Sequence, residues 1–241
     1  MDTPIPGMIL AAGRGERMRP LTDQTPKPLL KVKGKCLLDW HLDRMLQAGF
    51  ERVVINHAWL GDQIKAHIQS LGRPDTLVTS PETQALETAG GIKQAEKLLE
   101  VHDYFFVING DIFCPTFEFA TIAPLAKRLR KRGQQILAHL YLVENPPHNP
   151  QGDFGLENSQ VIDKENATRS LTFSGIGVYH KELFKDLVAG EKAKLAPLLK
   201  MAIQNHQVMG ELLSIPWTDV GTPERLAQLR SEEHTSELQS H

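Results

Sequence analysis

Apolar positions fall into two rhythms up to about residue 145. Short unbroken runs at Met8–Ala12, Val53–Asn56 and Tyr104–Asn109, bounded by glycine or polar residues, read as buried strands. Between them the period lengthens. Leu38, Leu42, Met45 and Leu46 share one face of a helix over Leu37–Ala48, which Gly49 ends. Leu60, Ile64, His67, Ile68 and Leu71 do the same over Leu60–Leu71. Leu77–Thr79 is a weaker strand, Gly91–Leu99 a short helix, Phe119–Arg132 a longer one, and Gln135–Val143 a further strand. Strand–helix–strand alternation builds a parallel sheet covered on both faces.

The pattern changes after Asn145. Pro146-Pro147-His148-Asn149-Pro150 is a rigid polar turn. Strand-like pieces follow at Phe154–Glu157, Gln160–Ile162 and Leu171–Tyr179, then helices at Lys181–Val188 and Ala196–Asn205 and a strand at Val208–Ile215. The expected fold is α/β: a Rossmann-like, mostly parallel central sheet with helices on both faces and a small β subregion on the substrate side. Residues 1–229 read as one domain. Its nucleotide-binding half runs to about residue 145, and the substrate-binding half, 146–229, shares the same sheet. The segment Arg230–His241 is polar and aperiodic and resembles a translated sequencing adapter, so it is read as a non-native tail.

Composition narrows the function. Among 241 residues, 41% are hydrophobic and 23% charged, the balance of a globular protein, and the net charge of -2 gives no electrostatic case for nucleic acid or anionic membrane. No run approaches the roughly 20 apolar residues of a membrane span, and Met8–Ala12 is too short for a signal peptide. A cytoplasmic protein is expected. Cys36 and Cys114 lie far apart, and the ten histidines show no metal spacing, which argues against zinc.

The strongest chemical signal follows the first strand. Leu10-Ala11-Ala12-Gly13-Arg14-Gly15-Glu16-Arg17-Met18-Arg19-Pro20-Leu21-Thr22 closes with Pro26-Lys27-Pro28. Two glycines one residue apart let backbone approach a ligand, and N–H groups in such a turn form an anion-binding concavity. Arg14, Arg17, Arg19 and Lys27 are expected within reach of the same phosphates, and three prolines stiffen the loop. The spacing excludes the dinucleotide fingerprint and the P-loop. A triphosphate cradle is the reading.

Asp111 ends an apolar strand in Val107-Ile108-Asn109-Gly110-Asp111, at the sheet edge where open α/β folds bind ligands. Such an aspartate is as often a cap or turn former. Asp219, in Trp217-Thr218-Asp219, carries the same ambiguity. Thr222, ahead of Pro223-Glu224, is the better cap for the helix that follows. Two carboxylates beside phosphate oxygens are what Mg²⁺ takes. Glu82–Gly91 reads either as a base and ribose site or as a helix start capped by Thr88 or Gly90.

Gly13-x-Gly15-x-Arg17-x-x-Pro20-x-Thr22-x-x-x-Pro26-Lys27-Pro28 resembles the signature of the sugar-1-phosphate nucleotidyltransferases, and the likeness extends to about Leu229. Gly15–Pro20, Asn56–Gly61, Leu86–Gly91, Gly152–Leu156 and Phe173–Ile176 are similar to the group that uridylylates N-acetylmuramate 1-phosphate in cell-wall recycling. The resemblance implies a glycosyltransferase-A-like fold, with UTP and a sugar-1-phosphate as partners and Mg²⁺ on Asp111 and Asp219. It further implies Arg17, Lys27 and Asp111 as catalytic residues. Leu10, Ala11, Ala12, Gly13, Arg14, Gly15, Glu82, Thr88, Gly90 and Asn109 would hold the nucleotide, and Gly155, Glu157, Ser174 and Gly175 the sugar. A glucose- or mannose-1-phosphate enzyme using dTTP, UTP or GTP is the rival, and a catalytically silent nucleotide-sugar-binding subunit the rival of another class. The chain lacks the C-terminal assembly region of longer relatives, so a monomer is expected. Where the family often has Glu-Lys-Pro, this chain has Asp163-Lys164-Glu165, and Lys164 is read as part of a solvated turn.

Overall fold

A computed structural model describes residues 5–99 and 102–238, with 232–238 as backbone alone. The chain opens with β1 (Gly7–Leu10), then a hairpin of β2 (Lys31–Val32) and β3 (Lys35–Cys36) that leads into helix α1 (Leu37–Gln47). There follow β4 (Val53–His57), α2 (Gly61–Ser70), β5 (Leu77–Pro81), α3 (Glu87–Gln94) and α4 (Glu96–Leu99). Next come β6 (Tyr104–Asn109), β7 (Ile112–Phe113), α5 (Ile122–Arg130) and β8 (Ala138–Val143). The remainder is β9 (Phe154–Glu157), β10 (Gln160–Asp163), β11 (Ser170–His180), α6 (Leu195–Gln204), β12 (Val208–Leu212), β13 (Thr218–Asp219) and α7 (Pro223–Leu238).

Nine strands form one sheet in the order β5-β4-β1-β6-β11-β8-β12-β10-β9. β5, β4, β1 and β6 are mutually parallel, and β12 is parallel to β8. β10 and β11 run against their neighbours, so the sheet is mixed in its second half. β9 also pairs with the outer end of β11, which closes β11, β8, β12, β10 and β9 into a ring. Alternate residues of one strand enter opposite cores. Ile9, Ile55, Phe106 and Ile108 pack under α1, α2 and α5, whereas Met8, Val54, Phe105 and Val107 pack with α3, α4 and α6. That is why the parallel strands read as unbroken apolar runs. The expected α/β fold is the observed one. Among the described residues no helix is long and apolar enough to cross a membrane.

Several expectations need correction. The helix expected at Gly91 begins at Glu87, because the Ala89 and Gly90 N–H groups donate to the Ala193 carbonyl, both at 3.0 Å. A partner so distant in sequence caps the first turn, and no local signal announces it. Lys181–Val188 shrinks to a 3-10 turn at Lys181–Phe184. The segment read as aperiodic from Arg230 continues helix α7 as far as Leu238, and the Arg230 guanidinium donates to the Lys31 carbonyl at 3.0 Å. The two-residue strands β2, β3, β7 and β13 are too short for any period to reveal.

Candidate functional site

The carboxyl ends of β1, β4 and β6 open into a cleft of about 420 Å³, within the range of small-molecule sites. The loop after β1 forms one wall. Gly15 holds φ +66°, and its carbonyl accepts the Met18 N–H at 2.9 Å and the Thr22 hydroxyl at 2.8 Å. A Cβ there would meet Thr22 Cγ2 at 3.0 Å, so packing and backbone both require glycine. Gly13 differs: a Cβ would meet nothing within 4 Å. Packing therefore does not require glycine at 13, and its surroundings are open. Among the described residues, none accepts a hydrogen bond from the N–H of Gly13, Arg14 or Gly15. These are unspent donors at the mouth of a cleft.

Of the four loop cations, two face the cleft. Lys27 is buried, and its Nζ lies 2.6 Å from Asp111 Oδ2. Arg17 is exposed along the wall. The other two are corrections. Arg14 lies over the Trp59 ring at 4.5 Å, and Arg19 pairs with Asp23 at 3.2 Å. Trp59 also donates its indole N–H to the Thr22 carbonyl at 2.9 Å, so it braces the loop from behind.

The base-side segment forms a second wall. Asn56 accepts the Ala11 N–H at 2.7 Å and donates to Glu82 Oε1 at 2.6 Å, while Glu82 Oε2 accepts the Leu86 N–H at 2.9 Å. Burial raises the Glu82 pKa, and these two hydrogen bonds oppose the shift. Glu82 and Thr88 line the cleft, as do Leu10, Ala12 and Asn109. Gly90 does not. It is buried inside α3, where a Cβ would strike the backbone of Glu191 and Ala193. Gly91, beside it, makes room for the Asn56–Glu82 pair.

Asp111 and Asp219 are far apart in sequence and adjacent in the fold. β7 and β13 pair antiparallel with Asp219 opposite Ile112, and the Val220 N–H donates to the Asp111 carbonyl at 2.8 Å. Behind β7, the buried His41 ring nitrogen meets the Ile112 carbonyl at 3.0 Å, and burial pushes its pKa down to about 4. Asp219 Oδ2 accepts from Arg225 at 2.7 Å and lies 3.5 Å from His148 Nε2. Burial, then Arg225, holds the His148 imidazole below its ordinary range. Thr222, not Asp219, caps α7: its hydroxyl lies 3.4 Å from the Arg225 N–H.

Both carboxylates are part-exposed, at 36% and 24%, and each already faces a cation. Asp111 lines the cleft and Asp219, held on the same ladder, lies just outside its lining; two hard oxygen donors so placed fit a divalent cation. Asn56, His148 and Arg225 were missed in the sequence. Asn56, like Asn109, is a polar residue at the end of an apolar strand. Arg225 is a cation in the first turn of a helix, where the dipole favours acids, and that anomaly was legible.

The proposed sugar-side residues fare differently. Ser174 is fully buried, and its hydroxyl donates to the Tyr141 carbonyl at 2.7 Å. It sits in a bulge of β11 between Phe173 and Ile176, where Gly175 takes φ +79°. A Cβ on Gly175 would meet Asn109 Nδ2 at 2.6 Å, so this glycine makes room for Asn109 and not for a sugar. Gly155 is packed against Ala167 and Ile162, and Glu157 is exposed at the β9–β10 hairpin, outside the cleft lining. Lys164 is part-buried and donates to the Gly152 carbonyl at 3.0 Å, so its turn is tied down and not merely solvated.

Residues 6–236 match the nucleotidyl transferase family. The chain is 49% identical over 235 residues to an N-acetylmuramate α-1-phosphate uridylyltransferase of Neisseria meningitidis serogroup B, covering 93% of this chain and 96% of that one. It is 31% identical to a protein of the same description from Caulobacter vibrioides, covering 95% and 96%. A putative glucose-1-phosphate thymidylyltransferase of Bacillus anthracis, of solved structure, shares the fold at TM-score 0.79 and 19% identity over 95% of this chain and 94% of that one. The chain belongs to the nucleotidyl transferase family and is a sugar-1-phosphate nucleotidyltransferase.

Proposed function

We propose that this enzyme joins UTP and N-acetylmuramate α-1-phosphate into a UDP-sugar, with release of pyrophosphate. The observation that carries it is the meeting of three things at one cleft: the unspent N–H groups of Gly13–Gly15, the buried Lys27 ammonium, and the Asp111–Asp219 ladder. The two N-acetylmuramate uridylyltransferases above supply the choice of base and sugar.

In the reaction a sugar-phosphate oxygen forms a bond to the α-phosphorus of UTP as the bond from that phosphorus to the bridging oxygen breaks. The nucleophile is already an anion, so no general base is needed. Two polyanions must instead be held against their repulsion while charge grows on the leaving group. The loop N–H groups grip the triphosphate, and Arg17 faces the departing pyrophosphate. Lys27 turns from Asp111 toward the α-phosphoryl oxygens. Asn56 fixes the end of β1 through Ala11 and steadies Glu82 beneath the base, with Thr88 and Asn109 beside the ribose. Asp111 and Asp219 would hold Mg²⁺, which would supply charge neutralisation when bound. Residues up to about 145 serve the nucleotide and 146–229 the sugar, in a cytoplasmic monomer. The sugar contacts lie on the cleft rim near His148 and Arg225, since Ser174 and Gly155 are spent on packing.

Pyrophosphate release is to be measured with UTP, dTTP and GTP, each against N-acetylmuramate, glucose and mannose 1-phosphates. UTP with N-acetylmuramate α-1-phosphate is expected to give the largest kcat/KM. A larger value for any other pair overturns the assignment.

A further inference from the structure

Away from the cleft, three chemically distinct ligand residues converge where α1 faces α2. Cys36 immediately precedes α1, Asp39 lies in its first turn, and His67 lies in the last turn of α2. Their sulfur, carboxylate oxygen and ring nitrogen all lie within 4.8 Å of one another. Asp39 Oδ1 is 2.6 Å from His67 Nε2. All three are half-buried, so an ion can enter without the fold opening.

We infer that Cys36, Asp39 and His67 form a Zn²⁺ site, with water as fourth ligand, separate from the catalytic cleft. The donor set is the first reason: one sulfur, one nitrogen and one oxygen suit a borderline cation, whereas Asp111 and Asp219 offer only oxygen and suit a hard one. Geometry is the second. Zinc bonds of about 2.0–2.3 Å set tetrahedral ligand atoms roughly 3.3–3.8 Å apart, close to the present spacing of at most 4.8 Å. On binding, the zinc–sulfur bond forms as the thiol proton leaves to solvent. His67 offers its Nε2 lone pair with its proton on Nδ1, and Asp39 exchanges its hydrogen bond for the metal. The site would clamp α1 to α2, and α2 starts beside Trp59, the brace of the phosphate loop.

Cobalt is the probe. Titrated into the full-length protein, Co²⁺ is expected to give one equivalent of thiolate-to-cobalt charge-transfer absorption that Zn²⁺ bleaches. Cys36→Ser abolishes the band, and His67→Gln weakens binding by about tenfold or more. Cys114→Ser and Asp111→Asn retain it, which separates this site from the other thiol and from the cleft. Zn²⁺ is also expected to protect Cys36 of the unaltered protein from alkylation, read by mass spectrometry, a result that needs no variant to fold. No band, a band that survives Cys36→Ser, or unprotected Cys36 overturns the inference.

Discussion

The two halves of the sheet differ in how many of their small and polar residues are left for the cleft. In the first half several are: Gly13 has open space where a side chain would lie, and Asn56, Glu82 and Asp111 line the cleft walls, while Gly15, Gly90 and Gly91 serve packing. In the second half the same residue types are consumed by the fold. Gly155 is packed against Ala167, Gly175 against Asn109, and the Ser174 hydroxyl satisfies a buried carbonyl. The difference follows from topology. Parallel strands leave their carboxyl ends to be finished by loops, whereas a sheet rolled into a ring needs small residues to let its strands turn. A glycine motif therefore says that something comes close, and only the surroundings say whether that is a ligand or another strand.

The contrast can be broken at its strongest point first. Asp111→Asn is expected to cut Mg²⁺-dependent pyrophosphate release by about 10³ or more while circular dichroism stays native. Near-normal turnover would remove Asp111 from the chemistry. Lys27→Ala should cost roughly 10²–10³ in kcat. It should also lower the melting temperature less than Asp111→Ala, because Lys27 is buried and its partner is part-exposed: losing Asp111 strands a buried cation. The reverse order would sink that account.

Acid should act through the strut behind β7. The unfolded chain protonates His41 near 6.5, but burial holds its folded pKa down to about 4. Its contribution to stability is therefore complete above pH 6.5 and is lost as pH falls toward 4, by up to roughly 3 kcal/mol. Urea unfolding of His41→Gln at several pH values should show a flatter acid limb than the unaltered protein. An equal slope would count against it.

The sharpest test pairs two glycines. Gly155→Ala should destabilise by about 1–3 kcal/mol and leave KM for the triphosphate unchanged. Gly13→Ala should leave the melting temperature alone and raise that KM. If both variants shift the same quantity, the distinction between the halves fails.

What the sequence disclosed follows from range. Unbroken apolar runs marked β1, β4 and β6 because those strands are buried on both faces, and the end of the third run then pointed to Asp111. The loop from Gly13 to Lys27 was legible because its chemistry is contiguous. The start of α3 was hidden because its cap is the Ala193 carbonyl, and the fate of Arg14 because Trp59 lies on another element. The Cys36–Asp39–His67 cluster escaped for the same reason: its spacing matches no ligand motif until α1 and α2 are side by side.

The ladder between β7 and β13 also sets a timetable. Asp219 comes to Asp111 only when a strand near the end of the chain docks on one from its middle, a closure with high entropic cost that forms late in folding. During synthesis the phosphate loop and the first carboxylate are made long before the second arrives. If Asp219 is needed for turnover, a nascent chain that has made the phosphate loop still lacks competence until the final strand docks.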